Sequence, residues 1–130
     1  MINDEKDYYL MNALNLAFVG DAVFTLEVRK HIVNNTAGKL STINKLANSI
    51  VKAPTQAKIM EKLLPTLTER ELEIAMRARN SHLAGHKAKN STLEEYSLAT
   101  QFEAVIGFWF LTGENSKISA VLENYVWEML

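Results

Sequence analysis

"LNLAFVGDAVFTLEV", residues 14 to 28, is almost wholly apolar, and a carboxylate, Asp21, stands at its middle. On a helical wheel the apolar residues from Leu16 to Leu26 point in every direction, the pattern of a helix enclosed by its neighbours. Asp21 shares a stripe with Leu14, Ala17, Phe18, Phe24 and Val28, which predicts a charge cut off from water. A second stretch repeats the arrangement. "LATQFEAVIGFWFL", residues 98 to 111, is apolar around most of its circumference and carries Glu103, with Thr100 and Gly107 on the same side. Gly20 and Gly107 lie beside these acids in helix interiors, where glycine costs about 0.5–1 kcal/mol against alanine unless close backbone approach compensates. Two helices crossing tightly near the acids would supply that compensation.

An uncompensated buried carboxylate costs several kcal/mol, and two facing each other repel and raise at least one pKa. Something positive must sit beside them. Arg77 and Arg79 could neutralise the acids one by one, or a single divalent cation could be shared by Asp21 and Glu103. Hard oxygen ligands in a chain without cysteine suit magnesium, or manganese in its place, with water completing the shell. On the residues alone both arrangements remain open.

The 130 residues form one expected domain, 1–130, long enough to bury roughly two-thirds of the surface the unfolded chain exposes. With 48% hydrophobic and 22% charged residues and two prolines, the composition is globular. The absence of cysteine excludes disulfides, thiolate metal sites and cysteine nucleophiles. The chain opens "MINDEKDYY", with three acids in its first seven residues, and its longest apolar run, Ala104 to Leu111, is eight residues. Neither a secretory signal nor a membrane span is expected, which points to the cytoplasm.

Helix signals dominate, predicting an all-α fold of about six helices. The first should run from about Tyr8 to Val33 and stop at "NNTAG". The second begins near Ser41 and ends at Lys52, because a residue before proline is pushed out of the helical region. Pro54 suits the first turn of a third, reaching about Leu64. Thr68 and Glu71 have capping-box spacing for a fourth helix, and Ser91 and Thr92 offer two registers for a fifth, which Gly113 terminates. A last amphipathic helix covers Ser116 to Met129.

The net charge of −1 is unevenly spread. From Ile74 to Leu93 there is no Asp or Glu, while Arg77, Arg79, Lys87 and Lys89 contribute +4, and the remainder carries −5. Such separation makes one face attractive to polyanions, and a segment without acids fits phosphate contact better than base reading. Arg77, Arg79, Asn80, His82, Lys87 and Lys89 are the candidate phosphate contacts, with Lys52 and Gln56 as lesser ones beside the Pro54 break. A solvated basic loop is the plainer alternative. His82 and His86 stand four apart, a metal-ligand spacing on a helix, but Gly85 and the loop composition weaken a zinc reading. His31, Trp109 and Trp127 are read as packing or solvent-facing residues.

"LNLAFVGDAVFTLEV" resembles the "FLGDAVL" motif of the ribonuclease III endonuclease domain, and "ATQFEAVIGFWFL" resembles that family's "FEA" helix. "VKAPTQA", residues 51–57, and "RARN", residues 77–80, are similar to landmarks of its short, stand-alone Mini branch, so the resemblance spans about Tyr8 to Tyr125. It implies an all-α homodimer of ribonuclease III endonuclease type that cuts double-stranded RNA with magnesium and matures large-subunit ribosomal RNA precursors. Asp21 and Glu103 match two catalytic, metal-binding acids of the family. Phe18 matches a phenylalanine that inserts into the partner subunit, its alternative being an ordinary core aromatic. Longer relatives carry further acids where this chain has Ala17 and Thr100, which puts a second metal ion at the centre in doubt. Without a separate RNA-binding domain, the catalytic dimer must grip RNA itself or with a helper such as a ribosomal protein. Two other readings remain: a non-catalytic RNA-binding module whose acids sit in structural ion pairs, and a helical protein-interaction adaptor.

Overall fold

A computed structural model describes residues 5–81 and 92–130. The described residues form seven α-helices: α1 (Glu5–Leu10), α2 (Ala13–Asn35), α3 (Leu40–Val51), α4 (Ala53–Leu63), α5 (Glu69–Asn80), α6 (Leu93–Leu111) and α7 (Asn115–Val121). A 3-10 turn (Leu64–Thr66) links α4 to α5, and a π-turn (Leu122–Val126) with a 3-10 turn (Trp127–Met129) follows α7.

The all-α expectation holds, with differences at the ends of the chain. The first helix is not continuous from Tyr8. It breaks at Met11 and Asn12, because the Asn12 side chain accepts from the Leu14 N–H at 2.8 Å and starts a new helix. Arg77 locks this joint by donating to the carbonyls of both Tyr9 and Met11. The last helix is also shorter than Ser116–Met129, since its ladder widens into the π-turn that buries Leu122 and Val126. Seven helices replace six for the first of these reasons.

Other boundaries follow local chemistry. Lys52 is extended between α3 and α4, with Pro54 in the first turn of α4, and Thr55 Oγ1 donates to the Ser49 carbonyl across the corner at 2.9 Å. Thr68 and Glu71 close a capping box on α5. Thr92, not Ser91, caps α6, exchanging bonds of 2.9 and 3.0 Å with Glu95. Gly113, at φ +80°, ends α6: its N–H bonds the Phe110 carbonyl and that of Glu114 bonds Trp109, the paired pattern that needs a left-handed residue.

The central helix is α6, which packs against α2, α4, α5 and α7. Its contact with α2 is backbone to backbone. A Cβ built on Gly20 would lie 1.7 Å from the Glu103 carbonyl oxygen, and one on Gly107 would lie 2.0 Å from that of Leu16. The tight crossing expected from the two glycines is therefore present. One turn further along, Phe24 and Phe102 meet edge to face at 5.0 Å, both fully buried.

Candidate active site at the α2–α6 crossing

Because Gly20 and Gly107 let the backbones touch, the residues beside them are brought together from two helices. Asp21 follows Gly20 on α2, and Glu103 lies one turn before Gly107 on α6, so the two carboxylates become neighbours. Burial pushes the Glu103 carboxyl up, Asp21 pushes it further, and Gln56 draws it partly back; the net result is about 9. A chain holding these acids with nothing else keeps a proton on Glu103 at neutral pH.

Among the described residues neither Arg77 nor Arg79 pairs with the two acids. Arg77 is engaged at the α1–α2 joint and lies over the Tyr9 ring, 5.2 Å from its centroid, while Arg79 Nη1 donates to the Met76 sulfur at 4.0 Å. The ion pairs Lys30–Glu27 and Lys117–Glu71 involve neither Asp21 nor Glu103. The expectation that Asp21 is cut off from water is also corrected: within one chain it is exposed. The stripe to which it belongs is open rather than covered.

Gln56 needs the opposite correction. Placed among RNA contacts by its position near Pro54, it is 2% exposed, and its amide faces Glu103. Its Nε2 is buried with no hydrogen-bond partner. Two adjacent carboxylates with no cationic partner among the described residues, beside an unsatisfied amide, make a donor set that fits a hard divalent ion. No cluster of three or more His, Cys, Asp or Glu occurs among the described residues.

The remaining candidates separate. Arg79, Asn80 and Lys52 are exposed, whereas Arg77 is half-buried and committed to the fold. His82, Lys87 and Lys89 lie outside the described residues, as does His86. Phe18 is 83% exposed, which removes the core-aromatic alternative. It belongs to an apolar stripe that sequence reading took for enclosed: Leu14, Phe18, Ala22 and Leu26 are all exposed on α2 at a spacing of four. With Phe110 and Ile118, three of them, Phe18, Ala22 and Leu26, border a groove of about 760 Å³ that Asp21 also lines. The four-residue spacing was the signal that could have identified the stripe.

Trp109 and His31 do pack. Trp109 Nε1 donates to Glu71 Oε2 at 2.7 Å, and His31 stacks on Trp127 at 3.8 Å.

The all-α fold with paired acids at the crossing of two apolar helices is that of a ribonuclease III-type domain: the family model described as "Ribonuclease III domain" matches residues 14–114. The Mini-ribonuclease 3 of Desulfitobacterium hafniense is 44% identical over 92% of this chain and 74% of its own length. That of Brevibacillus brevis is 39% identical, over 92% and 88%. A crystal structure of a Fusobacterium nucleatum protein superposes with a TM-score of 0.85 at 30% identity, covering 93% of this chain and 96% of its own. The chain belongs to the ribonuclease III family of endoribonucleases, in its Mini-ribonuclease 3 branch. Among the described residues no helix is long and apolar enough to cross a membrane.

Proposed function

We propose that two copies of this chain pair through the open stripe of α2 and cut double-stranded RNA, with Asp21 and Glu103 of each copy holding magnesium or, in its place, manganese. The observation that carries the reading is the pair of neighbouring carboxylates at the α2–α6 crossing, with no cationic side chain paired to either among the described residues. When bound, such an ion acidifies water and neutralises charge growing on a phosphate. Glu103 must release its proton to serve as a ligand, so its raised pKa keeps the carboxylate pair unrepelled until the ion arrives. In-line attack of water on phosphorus with departure of the 3′-oxygen leaves 5′-phosphate and 3′-hydroxyl ends.

Pairing follows from apolar area. Phe18, Leu26 and Phe110 are exposed around one groove, Leu14 is exposed on the same stripe of α2, and a two-fold contact buries that stripe of both copies at once. It also covers the flank of Asp21, since that residue borders the groove. Two sites related by a two-fold axis match the two strands of an A-form duplex, whose shape and 2′-hydroxyls are accessible across the minor groove. Arg79, Asn80 and Lys52, with His82, Lys87 and Lys89, supply phosphate contacts. Large-subunit ribosomal RNA precursors in the cytoplasm are the substrate, met by the dimer alone or with a ribosomal protein.

The test is incubation of purified protein with duplex RNA, with and without magnesium. Asp21→Asn and Glu103→Gln should each abolish cleavage while dimer and RNA binding persist. An undiminished rate in either variant rejects the assignment.

A further inference from the structure

The least explained polar group among the described residues lies against the acid pair. Gln56 is 2% exposed, and its neighbours Ala57, Ile59 and Met60 on α4 are buried apolar residues. Leucine or methionine would fill the same space at no polar cost, whereas a buried amide nitrogen without a partner bears the desolvation penalty of an unmade hydrogen bond. The fold therefore carries an expense that its packing does not require.

Where that nitrogen lies supplies the reason. The corner at Lys52 and Pro54, tied by Thr55 to Ser49, fixes the start of α4, and α4 packs on α6. Gln56 comes from this third helix and turns its amide toward the Glu103 carboxyl without making a hydrogen bond of ordinary geometry to it. The other buried amide with an unsatisfied atom, Gln101, has its nitrogen anchored on Ser97 Oγ at 3.2 Å; that of Gln56 has no such anchor. A donor held in reserve beside a carboxylate is the arrangement by which outer groups orient metal-ligating acids.

We propose that Gln56 is a positioning residue of the site: its Nε2 donates to the Glu103 carboxylate and holds it in the orientation that binds the divalent cation. This rests on the assignment of Asp21 and Glu103 as the ligands. It makes the site a product of three helices, with α4 setting an acid that α6 carries.

The test uses the full chain without RNA: manganese binding followed by electron paramagnetic resonance, magnesium binding by calorimetry, and metal-free thermal unfolding. For Gln56→Met and Gln56→Leu the expected result is a 10- to 100-fold loss of metal affinity with a metal-free midpoint unchanged or raised. Gln56→Asn, which keeps the amide but withdraws it by one methylene, should lose affinity similarly. Unchanged affinity in these variants, whatever their stability, overturns the proposal and leaves Gln56 as filling. Asp21→Asn run in parallel separates the two levels. If it loses manganese while the Gln56 variants keep it, the inference about Gln56 alone fails; if it too keeps manganese, the ligand assignment fails and takes this inference with it.

Discussion

Replacing Gly20 by alanine sets two effects of opposite sign against each other. Alanine in a helix interior is favoured over glycine by about 1 kcal/mol, so an open crossing would gain stability from the change. The added Cβ, however, would stand 1.7 Å from the Glu103 carbonyl oxygen and 2.9 Å from the Gly107 nitrogen. Both are backbone atoms of α6 and cannot swing away, so the helices must separate locally until that contact becomes ordinary. Separation loosens Leu16, Phe24, Phe102 and Ile106, all fully buried. Overpacking of a rigid core costs about 3 kcal/mol at the upper end of its usual range. The net loss is therefore about 2 kcal/mol, read by urea unfolding at fixed protomer concentration. Gly107→Ala, with its Cβ 2.0 Å from the Leu16 carbonyl oxygen, should behave alike. The double variant should cost less than the sum, because helices already parted accommodate the second methyl. Parting the helices also draws Glu103 from Asp21, so metal-dependent cleavage should fall at temperatures where the variant remains folded. A Gly20→Ala protein more stable than the parent would refute a backbone-to-backbone crossing.

Phe18→Ala should leave the fold intact and weaken self-association at least 30-fold, the effect of losing one central aromatic anchor; sedimentation equilibrium measures it, and an unaltered dimer would move the interface elsewhere. Metal affinity should rise with pH up to about 9, with nearly one proton released per ion at pH 7.5, because Glu103 must ionise to bind. The metal-free chain should change the other way: a raised carboxyl contributes stability at low pH that is lost as pH climbs through about 9. Calorimetry in buffers of different ionisation enthalpy counts the proton, and a pH-independent affinity would contradict the pairing of the acids. For Glu71, burial pushes the carboxyl up, but hydrogen bonds from Lys117, the Thr68 N–H and Trp109 outweigh it and the net shift is down. Its contribution is present above the ordinary carboxylate range and lost on acidification below it. Glu71→Gln should thus cost about 1–3 kcal/mol at pH 7, a difference that narrows toward pH 3 in denaturant unfolding. Lys87→Ala with Lys89→Ala should flatten the salt dependence of RNA affinity; an identical slope would place the phosphate contacts elsewhere.

How much of this was legible in the chain depends on whether the cause was local. The corner at Pro54, the caps at Thr68 and Thr92 and the stop at Gly113 each rest on a few neighbouring residues, and all occur. Gly20 and Gly107 could be paired before any coordinates because glycine inside an apolar helix needs a reason that only another backbone supplies. The break at Asn12 was missed because Tyr8 to Val33 reads as one continuous pattern, and the capping oxygen of Asn12 outweighed it. Charge was less legible still. Arg77 looked like a counterion or a phosphate contact, yet carbonyls 66 and 68 positions away claim its guanidinium. Gln56 looked like a surface residue beside a proline, and only the packing of α4 on α6 turned it inward.

The most instructive departure concerns α2 itself. Its apolar residues encircle the helix, which is how an enclosed helix reads, yet Leu14, Phe18 and Leu26 remain exposed when the chain is taken alone. The pattern and the burial agree only if a further surface closes over that stripe. Asp21 is affected equally, since the expected shelter of its carboxylate is absent from one copy and would be supplied in part by another.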